Sequence, residues 1–151
     1  MSFFQPDFTE FIECLNKTNV EYLIVGGYAT IIHGYNRTTG DLDIWVNQTD
    51  INYDKILGAF NLFQMPIFDM SKENFMVNPD IDVFSFGRPP VCIDIITRLK
   101  GLNFEEAYVN VEKIKVGNLR INVISLDDLI KAKSAANRPK DQDDIDHLRG
   151  K

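Results

Sequence analysis

Two aspartates, Asp41 and Asp43, occupy alternate positions in the run DLDIWV, and a third, Asp94, interrupts the apolar run VCIDIIT. Side chains two residues apart point to the same face of a β-strand, so we expect Asp41 and Asp43 on one face. Neighbouring carboxylates repel each other, and a divalent cation between them removes that repulsion. Oxygen ligands suit Mg²⁺, which takes its remaining ligands from water and from substrate phosphates. The three aspartates therefore predict a metal centre.

Each acidic feature also has a simpler interpretation. Aspartates end strands, cap helices and make turns, so a D-x-D pair alone is a weak signal. The order of features along the chain strengthens the metal interpretation. A strand is followed by a glycine pair, a short helix, the D-x-D strand, and then the lone Asp94 on a later strand.

The glycine pair Gly26-Gly27 follows the strand-like run VEYLIV. Residues without side chains let backbone N–H groups approach a phosphate, and the start of the following helix adds partial positive charge. A tight turn that binds nothing is the alternative. Arg37 and Thr38 lie a few residues before the D-x-D strand. They either contact a phosphate or belong to a turn on the protein surface.

The hydrophobic pattern predicts an α/β (α+β) fold in which helices pack against a mixed β-sheet. Ser125 is the predicted N-cap of a late helix, and Pro139 fits the first turn of the helix after it. The pattern of residues 64–78 is ambiguous, and residues 87–90 are the predicted link between two strands. The predicted helices cover 6–17, 27–34, 51–63 and 104–108, the strands cover 21–25, 41–46, 81–86 and 91–97, and a hairpin turns at Gly117-Asn118.

The segment VGGYATIIHGYNRTTGDLDIWV resembles the signature of the polymerase β-like nucleotidyltransferase superfamily, a glycine turn followed by a D-x-D strand. Asp94 stands where that pattern has a third acidic residue on a later strand. The segments RPPVCIDIITRLKGLNFEEAY and SLDDLIKAKSAANRPKDQDDIDHL extend the resemblance to small bacterial members, which include abortive-infection-type toxins and stand-alone domains. The resemblance covers the chain from Tyr22 to Leu148.

The resemblance implies a two-metal transfer of a nucleoside monophosphate from an NTP such as ATP, with release of pyrophosphate. Asp41, Asp43 and Asp94 would be both the metal ligands and the catalytic residues, with Mg²⁺ or Mn²⁺ as cofactor. The acceptor would be a hydroxyl on a tRNA, a protein or a small molecule such as an antibiotic. The residues expected to bind nucleotide phosphates are Gly26, Gly27, Arg37, Thr38 and Lys133.

Composition suits one domain over residues 1–151, because a chain that is 44% apolar has enough material for one core. The net charge of −6 disfavours a broad electrostatic contact with nucleic acid but allows a focused one, such as with a tRNA end. The start MSFFQPDF has no basic segment and no long apolar run, so we expect a cytoplasmic protein without a membrane span. Cys14 and Cys92 lack metal-ligand spacing and are predicted to be reduced.

Two classes of function fit these residues. The first is the nucleotidyltransferase described above, and the presence of all three acidic positions favours it. The second is a catalytically silent nucleotidyltransferase-like binding module, such as one half of a toxin–antitoxin pair with a cognate antitoxin as partner. Because no second domain is evident, we expect an acceptor to bind the C-terminal helices or a second copy of the chain in a homo-oligomer.

Overall fold

The computed structural model describes residues 5–88 and 91–150. This part of the chain forms one mixed sheet with helices packed against it, which confirms the predicted α/β (α+β) fold. The sheet order is β3-β4-β2-β1-β6-β5. The strands are β1 Tyr22–Val25, β2 Asp41–Val46, β3 Val83–Arg88, β4 Val91–Ile96, β5 Glu112–Val116 and β6 Leu119–Val123. The helices are α1 Pro6–Lys17, α2 Gly26–Ile32, α3 Asp50–Phe63, α4 Lys72–Met76, α5 Phe104–Val109, α6 Leu126–Ala136 and α7 Pro139–Leu148.

Strand β2 lies inside the sheet, antiparallel to β1 and parallel to β4. The register places Asp43 opposite Val25 on one side and opposite Asp94 on the other. Neighbouring strands are about 4.8 Å apart, and directly paired residues point to the same face. The sheet therefore brings together two acidic residues that are far apart in the sequence.

Helix α1 forms because its apolar residues recur at helical spacing. Phe8, Phe11, Ile12 and Leu15 are completely buried and follow the i, i+3, i+4, i+7 pattern of one helical face. The ring of Phe11 meets that of Phe60 in α3 edge-on, with centroids 5.6 Å apart. Burying each phenylalanine contributes on the order of 2 kcal/mol, so α1 and α3 together hold one side of the sheet.

The predicted caps and hairpin turn are confirmed. The hydroxyl of Ser125 accepts the backbone N–H of Asp128 at 3.2 Å and so begins α6. Pro139 is the first residue of α7, where its missing N–H costs nothing. The β5–β6 hairpin turns at Gly117-Asn118, and Gly117 has the positive φ of +63° that such short turns require.

Other boundaries differ from the sequence prediction. The unassigned residues 64–78 contain the short helix α4, which begins where Ser71 accepts the N–H of Asn74. The strand predicted at 81–86 lies at Val83–Arg88, because pairing with β4 continues through Arg88. Pro89 and Pro90, in the predicted 87–90 link, lie outside the described residues.

The buried apolar residues form one cluster on the sheet. Cys14 is buried in this cluster, and Cys92 is half-buried in β4; both are free thiols. Within residues 5–88 and 91–150, every helix is too short or too polar to cross a membrane.

Candidate active site

The carboxyl groups of Asp43 and Asp94 lie side by side on adjacent parallel strands. The two residues are directly paired in the β2–β4 register, and their side chains are hydrogen-bonded to each other. Such a bond needs one proton between the two acids, because an ionised carboxylate only accepts. Asp41 is the exposed first residue of β2, opposite Cys92. The structure thus joins two of the three predicted acidic residues and leaves the third on the solvent side.

The pKa of Asp43 is raised to about 7. Burial of the carboxyl is the largest cause, followed by the charge of Asp94, the hydrogen bond with Asp94 and the charge of Asp41. The cation of Lys140 acts in the opposite direction. Asp43 therefore keeps its proton to a higher pH than an ordinary aspartate, and a divalent cation would have to displace that proton.

The glycine turn is packed directly onto this acidic pair. Gly26 has a φ of +67°, and a Cβ added there would overlap Oδ2 of Asp43. A Cβ at Gly27 would overlap the hydroxyl of Thr39. Thr38, the threonine expected at the phosphate site, is exposed to solvent, whereas Thr39 lies against the turn. Close contacts therefore require both glycines, and Gly26 is required by its backbone conformation as well.

Replacing Gly26 with alanine should destabilise the protein more than replacing Gly117. Both glycines have similar positive φ, +67° and +63°, but a Cβ at Gly117 would meet nothing within 4 Å. We expect Gly117→Ala to cost about 1 kcal/mol of unfolding free energy and Gly26→Ala to cost about 2 kcal/mol more, because the new methyl group displaces Asp43. Urea unfolding of both variants measures the difference. Equal losses of unfolding free energy in the two variants would contradict the close contact between Gly26 and Asp43.

Arg37 lies over the glycine turn and is held there by helix α7. A Cβ at Gly27 would be 2.9 Å from Nη2 of Arg37. On its other side, Nη1 is 3.6 Å from Oδ1 of Asp144. The Nε of Arg37 is buried and has no hydrogen-bond partner within the described residues. The guanidinium therefore keeps an unused donor beside the turn that was predicted to bind phosphate.

Lys133 is buried and belongs to the same chain of contacts. Its ammonium donates a 2.8 Å hydrogen bond to Oδ2 of Asp144 and lies 4.0 Å from Oδ1 of Asp141. Only 8% of the Lys133 side chain is exposed. Its predicted contact with a nucleotide phosphate stays a prediction. The structure shows instead that Lys133, Asp144 and Arg37 connect helix α6 to the glycine turn.

Helix α7 begins with exposed cations near the acidic pair. Asp141 accepts the backbone N–H of Arg138 at 3.1 Å and two guanidinium N–H groups at 2.6 and 3.1 Å. Burial raises the pKa of Asp141, but the hydrogen bonds from Arg138 outweigh it and hold the pKa below its ordinary value. The charge of Lys140 lowers the pKa of Asp43, and the charge of Asp43 raises that of Arg138. Both exposed cations therefore lie within electrostatic range of the pair.

The buried aspartates of α7 are site residues that sequence reasoning missed. Asp141 and Asp144 are each 1% exposed. With Ile145 and Leu148, they occupy positions i, i+3, i+4 and i+7, which is the spacing of one helical face. Helix α7 is polar, and its two aspartates share a face with its apolar residues. This pattern in the sequence could have predicted the buried ion pairs.

The donor chemistry of the acidic pair suits a divalent cation that arrives with a nucleotide. Among the described residues, no three His, Cys, Asp or Glu side chains converge into a group that could hold a metal by itself. Mg²⁺ is commonly held by one or two carboxylates together with substrate phosphates, so a complete protein cage is not needed. Burial and the neighbouring charges of Asp94 and Asp41 raise the pKa of Asp43, which indicates negative charge that the surrounding side chains do not balance.

The mixed sheet, the glycine turn after β1 and the acidic pair on β2 and β4 define an α/β nucleotidyltransferase-like domain. Residues 7–149 match the family described as nucleotidyltransferase of unknown function (DUF6036), and the chain belongs to this family. No curated protein matches the chain significantly. The family description gives a type of reaction and names no donor, metal or acceptor.

Proposed function

We propose that the protein is a divalent-metal-dependent nucleotidyltransferase of the polymerase β-like superfamily. It would transfer a nucleoside monophosphate from an NTP to a hydroxyl acceptor on a tRNA, a protein or a small molecule. One observation carries the proposal. The hydrogen-bonded pair of Asp43 and Asp94 lies directly against a glycine turn that has no room for a side chain.

Asp43 and Asp94, with Asp41 beside them, are the residues that would hold Mg²⁺ or Mn²⁺. The metal would supply charge neutralisation for the triphosphate and for the leaving pyrophosphate. In the transfer, the acceptor oxygen forms a bond to the α-phosphorus while the bond from that phosphorus to the bridging oxygen of pyrophosphate breaks. A carboxylate oxygen of Asp94 would accept the proton of the acceptor hydroxyl.

The remaining residues would bind and orient the triphosphate. The backbone N–H groups of Gly26 and Gly27 would bind the phosphates, and Arg37 would contribute its unpaired Nε. Thr39 and the exposed Thr38 would supply hydroxyl donors. Lys133 would act through Asp144, by fixing the carboxylate that holds Arg37.

Replacing Lys140 with methionine should raise the KM for the NTP about tenfold and leave kcat nearly unchanged. The reason is that an exposed cation at the edge of the site binds the triphosphate equally well in the ground state and in the transition state. Steady-state kinetics measures both constants. Lys131→Met is the matched control, because Lys131 is also exposed and contacts Asp128 at 3.9 Å. The same KM in both variants would show that Lys140 does not contribute to NTP binding.

A second candidate is the catalytically silent binding module. One observation favours it: two cations of the site, Lys133 and Arg37, are already paired with Asp144 inside the protein. Calorimetric titration with NTP in the presence and absence of Mg²⁺ distinguishes the two candidates. The enzyme should show metal-dependent binding that Asp43→Asn abolishes, whereas the silent module should show none.

Transfer of label from α-labelled NTPs tests the proposed reaction. Each NTP is incubated with the protein, Mg²⁺ or Mn²⁺, and separate pools of RNA, protein and small hydroxyl compounds. We expect label in one pool with the native chain and none with Asp43→Asn. Absence of transfer from every NTP to every pool, together with absence of metal-dependent NTP binding, would support the silent module instead.

A further inference from the structure

A second candidate binding surface is a groove of about 820 Å³ at the end of the sheet opposite to the acidic pair. Strands β1 and β6 run parallel with Ile24 beside Val123, which puts Arg120 level with residue 21, just before β1. Asp43 is paired with Val25, at the other end of β1. Four residues of strand span about 13 Å, so the groove is separate from the candidate active site.

The lining of this groove is cationic in a chain that is acidic as a whole. Five of its lining residues are basic and two are acidic, whereas the chain carries a net charge of −6. In residues 5–88 and 91–150, none of the five basic side chains forms an ion pair. They come from α1, α3, β5 and β6. The five basic lining residues are Lys17, Lys55, Lys113, Lys115 and Arg120.

The arrangement on the β5–β6 hairpin is unfavourable without a bound anion. Lys115 is paired directly with Arg120 across the two strands, and like charges in that position destabilise a sheet. Lysine on an edge strand discourages pairing with other chains, and β5 is at the edge of the sheet. That role explains Lys113 and Lys115, but it explains neither Arg120 on the inner strand nor Lys55 on a helix.

We propose that the groove binds the phosphate backbone of an RNA strand. Lys113 and Lys115 project in the same direction about 6.7 Å apart, which suits a linear series of charges better than one compact anion. The half-buried ring of Tyr108 also lines the groove, and four asparagines beside it provide amide donors and acceptors. Aromatic rings and basic side chains along a groove are the elements that bind single strands. This binding does not depend on the proposed transfer reaction.

Fluorescence anisotropy with a labelled single-stranded RNA of about 20 nucleotides tests the proposal. The full chain is titrated in chelator without NTP, so that neither metal nor transfer contributes. We compare it with Lys113→Gln/Lys115→Gln/Arg120→Gln, in which all three changed side chains are exposed. We expect the triple variant to bind the RNA at least about tenfold more weakly. The slope of the log binding constant against log salt concentration should become less steep by about 2.

The matched control is Lys72→Gln/Lys100→Gln/Lys131→Gln, which removes the same charge from exposed positions outside the groove. We expect its affinity to stay within about twofold of the native chain. Circular dichroism and urea unfolding check that both triple variants fold. Absence of RNA binding by the native chain, or equal losses in the two variants, would overturn the proposal. Stronger competition by inorganic triphosphate or by an oligoglutamate peptide than by unlabelled RNA would also overturn it.

Discussion

Replacing Asp43 with asparagine should reduce nucleotidyl transfer by at least about a thousandfold and, at the same time, stabilise the metal-free protein at pH 8. Transfer falls because the variant loses a carboxylate that would hold the cation. Stability rises because the native carboxyl is ionised at pH 8 although it is partly buried and lies beside Asp94 and Asp41. Transfer assays and urea unfolding in chelator measure the two effects on the same preparations.

The stabilisation by Asp43→Asn should depend on pH in one direction. In the folded protein, the pKa of Asp43 is raised to about 7, whereas an unfolded aspartate ionises near a pKa of about 3.9. The folded state therefore binds this proton more tightly, so the native chain loses stability as the pH rises from about 4 to 7. We expect a gain for the variant on the order of 2 to 4 kcal/mol at pH 8 and much less at pH 5.

Asp80→Asn is the control for this measurement. Its side chain is exposed, and asparagine there should change stability by less than about 0.5 kcal/mol at either pH. A native chain that is more stable than Asp43→Asn at pH 8, or an equal difference at pH 5 and pH 8, would contradict the repulsion within the half-buried acidic pair.

Replacing Asp144 with asparagine should destabilise the protein by about 3 kcal/mol. Asp144 is 1% exposed, and its carboxylate is the 2.8 Å partner of the buried Lys133 ammonium. Removing one member of a buried ion pair leaves the other charge without compensation. The variant should also bind the NTP more weakly, because Asp144 holds Arg37 over the glycine turn. Urea unfolding and calorimetric titration measure these losses.

Two comparisons separate this ion pair from a general effect of changing helix α7. Asp143→Asn is the neighbouring control, because Asp143 is exposed and accepts a hydrogen bond from Tyr35 at 2.9 Å. Its cost should be below about 1 kcal/mol. Adding Lys133→Met to Asp144→Asn should restore most of the lost stability, since the unpaired buried charge is then removed. A double variant no more stable than Asp144→Asn would argue against the pair.

The elements predicted most closely are those whose pattern is local. Helix α1 covers the predicted residues 6–17, and β2 covers the predicted residues 41–46. In α1 the apolar residues repeat at helical spacing. In β2 the aspartates Asp41 and Asp43 alternate with apolar residues, and this local pattern is enough to predict a strand. The contact of Asp43 with Asp94 depends on pairing between β2 and β4. The sequence put both residues on strands, and only the fold shows them as neighbours.

The partner of Lys133 could not be predicted from local pattern. Its ion pair forms because α7 folds back along α6 after Asn137, which has a left-handed φ of 51°. The direction of that reversal determines which acidic side chains reach the lysine. The cationic groove is also a product of tertiary structure, since its basic residues come from four elements that are separated in the sequence.

The most direct test of the proposed reaction follows two labels of one NTP, at the α and the γ phosphorus, in the acceptor pool that the protein modifies. We expect the α label on the acceptor and the γ label in pyrophosphate, in equal amounts, with Mg²⁺ required and neither product formed by Asp43→Asn. The γ label on the acceptor would indicate phosphoryl transfer, and γ label in orthophosphate would indicate hydrolysis. Either result, or equal activity of Asp43→Asn, would contradict a nucleotidyltransferase built on Asp43 and Asp94.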